Sequence, residues 1–560
     1  MNHKILNIIT GFLLWSTILV FISIIIILNL TPPILRDALI HHLAVPKLWL
    51  RHGGFHEIPW AEYSYYPMYI NLLYLICLYF KNDIAPKFIH FGFGLATGGM
   101  IYFYLKQKFD YRWGLLGMVI FITTPIVVWL STSAYIDLGM TFFTTGSMLA
   151  FVRWRDSAYK KIKWLFVSSL CMGIAIGSKY NALIAFMAIS LILIFMYVRE
   201  TGKQATALKY GMLFFAVATL AASPWYIKNY LLTDNPFYPL FNSFFQSLHH
   251  QPMSEVLHRQ AIQKVSQVSF FRMREIMFGE TLWETLTIPI RMFFQGEDNS
   301  YQYFQGVLNP ILIVFWPFVL LDKENGKDKA IFSFFVVFFM LVAFFLTRKQ
   351  VRYLMPVMPF LAILAVMGIK NLADRFKEGW LLSLFKFKKS AGLIPVLFLF
   401  AAVIILLSFN GLYLKNRVDT IKPFPFVLQQ ETREAFLRRH LKHLPAVEYL
   451  NAHLPDDATV FTMFLGRRGY YLDRSYKNEH SFGMSTIRRM VDSSVDAEKF
   501  AEYVRSINVT HILMRTDLVD NFLKNNFSQQ EIMRFMNLAN KYWKRIYEKD
   551  GYAVWDTQAR

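Results

Sequence analysis

The sequence predicts a multi-pass α-helical membrane protein that ends in a small α/β domain. Three observations carry that prediction. Apolar runs long enough to cross a bilayer recur from the N-terminus to about residue 410. Charged residues make up 17% of the chain, against roughly 25% in soluble domains, while 55% is hydrophobic. Beyond Gly411 the pattern changes to short strand-like runs alternating with helical ones. The net charge of +21 comes with no nucleic-acid motif. Basic cytoplasmic turns and anionic lipid phosphates account for it. Cys77 and Cys171 both lie in apolar sequence and read as small buried side chains, not as a disulfide.

Apolar length places about eleven spans, and Lys and Arg in the short turns orient them. Span 1 covers about 6–29 and is retained, since it exceeds a signal-peptide core and runs into Pro32-Pro33. Met68–Phe80 is short for a crossing and reads as an interfacial or re-entrant helix. Spans 2 to 7 cover about 86–105, 113–130, 138–152, 164–177, 181–198 and 210–226. The turns KQKFDYR (106–112), RWRDSAYKKIK (153–163) and Arg199–Lys209 then all fall on the cytoplasmic side with the N-terminus. A long external segment runs to about 300. Spans 8 to 11 cover about 303–321, 330–346, 354–369 and 391–410. The remainder is external, with strands expected at 458–464, 510–514 and 552–555 and helices at Ala435–His453 and Gln529–Lys541. The expected division is a membrane module over 1–410, whose first external loop is 31–85, and an extracytoplasmic α/β domain over 411–560.

The chemistry concentrates in RDALIHHLAVPKLWLRHGGFHEIPWAEYSYYP, from Arg36 to Pro67. It holds too many rings for a solvent loop and too many ionisable groups for a span, so it reads as a cap on the membrane surface. If Ile34–Leu50 is a helix, Asp37 and His41 share a face. A partly desolvated carboxylate there suits a general base; the plain alternative is a helix-dipole partner. Asp137 sits in an external link and is either a second site carboxylate or the N-cap of span 4. Lys179, Arg348, Lys349 and Arg352 stand in external links, where the charge rule disfavours positives. They ask for an anion, with Lys179 and Arg352 the favoured pair. The candidate substrate-binding set is His41, His42, Tyr66, Lys179, Tyr180, Arg348, Arg352 and Tyr353. His41, His42, His52, His56 and Glu57 allow a divalent metal but do not favour one, because Gly53-Gly54 breaks the helix between His52 and His56; no cofactor is certain. No Walker loop, GxSxG, HExxH or GxGxxG in a strand–helix setting is present.

The segments RDALIHHLAVPKLWLRHGGF, YSYYPMYINLLY, SAYIDLGMTFF, GSKYNAL, SPWYIKNYLLTDNPFYPL and VRYLMPVMPFLAIL, taken in order, resemble the GT-C glycosyltransferases. The likeness is to the family-39-like enzymes, which include protein O-mannosyltransferases and the lipid A aminoarabinose transferase. Asp37 is followed by Ala38 where the O-mannosyltransferases carry paired acids. Tyr65-Tyr66-Pro67 stands where the aminoarabinose transferases have Glu-Lys-Pro. The resemblance implies a GT-C fold with juxtamembrane helices in the first loop and a catalytic acid after span 1, matched by Asp37, with Asp137 as the second acid. It implies an inverting enzyme of the bacterial inner membrane that moves a sugar from a polyprenyl-phosphate donor to a lipid, glycan or protein acceptor on the extracytoplasmic face. A lipid-linked sugar flippase or transporter, a cell-envelope glycan polymerase or ligase, and a non-catalytic scaffold are the alternatives.

Overall fold

The computed structural model describes residues 3–248, 270–321, 324–347, 349–377, 393–479 and 485–558. Arg348 lies outside the described residues, as do 322–323 and 378–392. The chain forms two compact units. The first comprises Met1–Asn29, Tyr66–Ile70 and Lys87–Lys422; the second comprises Leu30–Tyr65, Asn71–Pro86 and Pro423–Arg560.

The first unit is helical. Its labelled helices are α1 (His3–Asn29), α4 (Ala85–Lys108), α5 (Tyr111–Thr123), α6 (Pro125–Ser131), α7 (Asp137–Asp156), α8 (Lys163–Ile176), α9 (Ala182–Thr201), α10 (Gln204–Thr233) and α11 (Asn242–Leu248). Gly326–Leu346, Met358–Lys377 and Leu393–Ile421 complete its long helices. Among the described residues, seven helices are long and apolar enough to cross a membrane. The protein is an integral membrane protein. The pair α5 and α6 is apolar enough to count with them if taken together, and is bent by 67° at the break between its halves. Pro125 sets the bend: it holds Thr124 in extended backbone (ψ 130°), so the helix must stop and restart. The remaining spans read from the sequence are helical but shorter or more polar, as in α7 with Thr141, Thr144, Thr145 and Ser147.

Met358–Lys377 is the centre of this unit, with Phe360 to Met367 fully buried. A helix apolar all round belongs inside a bundle. Inside α10, Pro224 cannot donate to Leu220; the Ser223 hydroxyl takes that carbonyl at 2.8 Å instead. Span 8 is corrected. The chain does not enter a helix at 303 but turns through Phe304 and Gln305 at positive φ, and helix starts only at Ile311. Asn309 receives the Ile311 N–H at 2.9 Å and caps that start.

In the second unit, Ile34–Leu50 is not one helix. A π-helical turn at Ala38–His42 precedes α2 (Ala44–His52). Leu43 donates to the Ala38 carbonyl at 2.9 Å, one residue wider than an α-turn. Pro46 is the cause: it has no N–H for His42, and its ring crowds that carbonyl. The His42 carbonyl is taken instead by Asn71 Nδ2 at 3.0 Å. Gly53, left-handed at φ 80°, ends α2. A further helix, α3 (Tyr69–Tyr79), fits the short apolar run near 68–80.

A mixed five-stranded sheet fills the C-terminal part, in the order β2-β1-β3-β5-β4. The strands are β1 (Thr459–Met463), β2 (Ser475–Asn478), β3 (His511–Arg515), β4 (Lys544–Lys549) and β5 (Tyr552–Asp556). β1 runs parallel to β2 and β3, whereas β5 and β4 are antiparallel. One face packs on Ile487, Phe500, Val519 and Phe535, the other on Val447 and Leu450. Expected helix 435–453 is two helices, Arg433–His440 and Leu444–His453, because Leu441 turns extended and Pro445 starts the second.

His443 is buried beside this sheet, and burial with the nearby Arg468 charge pushes it down to about 4. The folded protein therefore keeps it neutral at pH values where the unfolded chain takes a proton. Its contribution to stability is complete above about 6.5 and is lost as pH falls toward 4, by ~1.4 kcal/mol per unit. Protection factors of the β3 and β5 amides, corrected for the intrinsic pH dependence of exchange, should fall as pH drops over that range in wild type. His443→Leu should flatten the dependence.

Candidate active site

In the first unit the site is built at the start of α7. Asp137 is fully buried there, and its Oδ1 accepts from Lys179 Nζ at 2.6 Å. Its other oxygen, Oδ2, has no hydrogen-bond partner among the described residues. Asp137 does not cap the helix. His90 does, from α4: its Nε2 accepts the Leu138 N–H at 2.9 Å. The His90 Nδ1 faces the Leu130 and Ser133 carbonyls, both at 3.0 Å, and so carries the proton. One imidazole therefore ties together α4, the end of α6 and the start of α7. In the sequence His90 is one ionisable residue in an apolar run, and that position inside a span is the signal that points to it.

Lys179 reaches Asp137 from the link between α8 and α9. Gly177 makes that link possible. Tyr69 donates its N–H to the Gly177 carbonyl at 3.1 Å, and its ring lies where a Gly177 Cβ would stand. The Tyr69 hydroxyl donates to the Ala221 carbonyl on α10 at 2.5 Å, so the ring has nowhere to go. Gly177→Val should cost about 1–3 kcal/mol by overpacking and lower the melting temperature of the purified protein.

Arg352 comes from the 3₁₀ turn Val351–Val357. Its guanidinium lies 5.7 Å from the Tyr135 ring centre and 5.5 Å from that of Tyr353. Lys179 Nζ lies 5.3 Å from the same Tyr353 ring. Two cations thus lie against one aromatic ring, and the field of Arg352 reaches Asp137 as well. Tyr180 donates to the Tyr238 carbonyl at 2.9 Å, and Tyr66 stands edge-on to it with ring centres 5.3 Å apart. Asn181, missed in the sequence, donates to the Tyr353 carbonyl at 3.4 Å.

With Asp137 spending one negative charge on two cations, the cluster keeps a net positive charge for an anion. Beside it is a narrow, partly open hollow into which Tyr353, Gln350, Lys349 and Thr347 bring the polar groups. Met292, Met340, Phe344 and Leu354 supply an apolar wall. Burial pushes Lys349 down to about 8. A cationic mouth beside an apolar wall suits an amphiphile with an anionic head.

In the second unit Asp37 enters the π-helical turn in helical backbone, and its side chain makes no cap hydrogen bond. His41 stacks on Tyr63, ring centres 4.6 Å apart, and lies against His42. His42 is committed to structure: Asn71 Nδ2 donates to both its Nδ1 and its carbonyl. His52 and His56 stack 3.9 Å apart, whereas Glu57 accepts from the Tyr65 hydroxyl at 2.5 Å. Among the described residues, no group of three or more His, Cys, Asp or Glu is placed to hold a metal.

The whole chain superimposes on a solved structure of ArnT from Cupriavidus metallidurans bound to undecaprenyl phosphate, with TM-score 0.56 and 14% identity over 98% of each chain. This is the GT-C fold. The chain is also similar to the archaeal oligosaccharyltransferase AglB from Archaeoglobus fulgidus in complex with an inhibitory peptide and a dolichol-phosphate. That match has TM-score 0.52 and 10% identity, covering 98% of this chain and 74% of the other. Residues 64–245 match the model of the dolichyl-phosphate-mannose-protein mannosyltransferase family. The matched stretch takes in Asp137, Lys179 and Tyr180 and begins beyond Asp37. No protein of curated function matches the sequence.

Proposed function

We propose that the protein is an inverting membrane glycosyltransferase that takes a sugar from a polyprenyl-phosphate donor and gives it to a lipid, glycan or protein acceptor. The observation that carries this reading is the pair Lys179 and Arg352 on the Tyr353 ring, next to the apolar hollow and above a buried Asp137. The lipid phosphates bound by ArnT and AglB supply the chemistry such a pair would recognise.

Asp37 accepts the proton from the acceptor hydroxyl or amine. The acceptor attacks the anomeric carbon, the bond to the phosphate oxygen breaks, and polyprenyl phosphate leaves with the electron pair as a dianion. Lys179 and Arg352 hold that dianion, so the leaving group needs no proton. One carboxylate base then suffices, unlike glycoside hydrolysis. Asp137 orients Lys179. Tyr66, Tyr180, Tyr353, His41 and Arg348 complete the substrate contacts.

The reaction faces the extracytoplasmic side of what we read as a bacterial inner membrane. The basic turns 106–112, 153–163 and 199–209 put the N-terminus in the cytoplasm. Residues 1–410 form the membrane module and 411–560 the extracytoplasmic domain. The deciding experiment follows radiolabelled sugar from a polyprenyl-phosphate donor pool to endogenous acceptors in membranes. Label reaching a product in wild type but not in Asp37→Asn supports transfer. Label flipped across the membrane without a product supports a transporter.

A further inference from the structure

We propose that the connection from β1 to β2, residues 464–474, positions Asp37, so that the sheet is part of the catalytic apparatus. This rests on the assignment of Asp37 as base. All the contacts lie within the second unit and bracket Asp37 in the chain. The Tyr471 hydroxyl donates to the Pro33 carbonyl at 2.7 Å, just before Asp37. The Tyr470 N–H donates to the Leu39 carbonyl at 3.3 Å, just after it. Further along, Lys47 Nζ donates to the Tyr470 carbonyl at 2.8 Å and to Asp473 at 2.7 Å. Arg51 donates to the Asp473 and Arg474 carbonyls at 2.8 and 3.1 Å.

The connection is stiff enough to act as a reference. Leu465 and Leu472 are anchored in the sheet core with Val460, Leu513 and Val554. Leu48 and Trp60 of the first loop pack on the same core. Phe464, Gly466 and Arg467 all hold positive φ, a combination that persists only where surroundings fix it. A Cβ at Gly469 would fall inside the Tyr476 ring, so backbone and ring are in direct contact. Tyr471 is therefore a positioning residue, acting through its hydroxyl; at residue 470 the contact with this turn is the backbone N–H, which any side chain leaves in place.

That difference supplies the test. Tyr471→Phe removes the bond to Pro33. Tyr470→Phe keeps the backbone bond to Leu39 and loses only the hydroxyl contact to Asp83 at 3.3 Å. Both variants, with Asp37→Asn, are made in the full chain in nanodiscs. Hydrogen exchange is read at Leu39 to Leu43, and transfer is measured from the donor pool that labels wild type. Tyr471→Phe should speed exchange there about tenfold, leave β1 and β3 unchanged, and lower kcat about 10- to 100-fold with KM for the donor within about twofold. Tyr470→Phe should match wild type in both. Unchanged exchange in Tyr471→Phe, or faster exchange with unchanged kcat, overturns the proposal. Equal losses in the two variants overturn it too, since any buried hydroxyl would then serve. If Asp37→Asn keeps full activity, the base assignment fails separately, and the exchange data still decide whether the connection holds this turn.

Discussion

Asp37→Asn is expected to abolish sugar transfer, with a loss of at least about 10²–10⁴-fold in kcat, the range for a positioned general base. The substitution is close to isosteric. It removes no cap bond, because the Asp37 side chain makes none. Expression, melting temperature and donor affinity should stay near wild type, so the change falls on the chemical step. Asp37→Glu should recover part of the rate, as the carboxylate is kept but displaced. Initial rates against donor concentration give the answer. An Asn variant with a normal kcat removes Asp37 from the mechanism.

Lys179→Met should fail in a different way. It leaves the Asp137 carboxylate, fully buried, without its 2.6 Å partner. Removing one half of a buried pair costs about 3–5 kcal/mol, enough to lower the melting temperature by many degrees. It also removes one of the two cations on Tyr353. The double variant Asp137→Asn with Lys179→Met separates the two effects. With the charge gone from both sides, stability should largely return. Transfer should not return, since the leaving phosphate would still face Arg352 alone. A double variant that regains activity would make the pair purely structural.

The spans were readable because apolar length is a direct demand of the bilayer. The edges of that reading failed where backbone chemistry overrode hydropathy. Tyr301–Gln305 is aromatic enough to pass for a span, yet left-handed Phe304 and Gln305 turn it back. Strands β1, β3 and β5 are short runs buried on both faces, so they could be seen. Strands β2 and β4 are the two edges of the sheet; SYKN and KRIYEK carry the polar residues that edges tolerate and so left no pattern. Asp37, Asp137, Lys179 and Arg352 stood out because ionisable groups beside spans are costly. Their partners did not. Nothing local says that Lys179 meets Asp137, or that His90 caps a helix begun 47 positions later. Such pairings exist only once the helices pack.

The turn at Ala38–His42 has a consequence for how this region can change in length. Each residue of an α-helix advances the side chains by about 100° and ~1.5 Å. The wide turn absorbs one extra residue, so that Lys47 and Arg51 still point together at residues 470–474. Deleting one residue inside the turn would let it relax to an ordinary α-helix with both cations nearly in their present phase. A deletion between the turn and Lys47 would instead swing both cations about a quarter-turn away from their carbonyl partners. The turn is thus the place where this loop absorbs a change in length, and α2 is not.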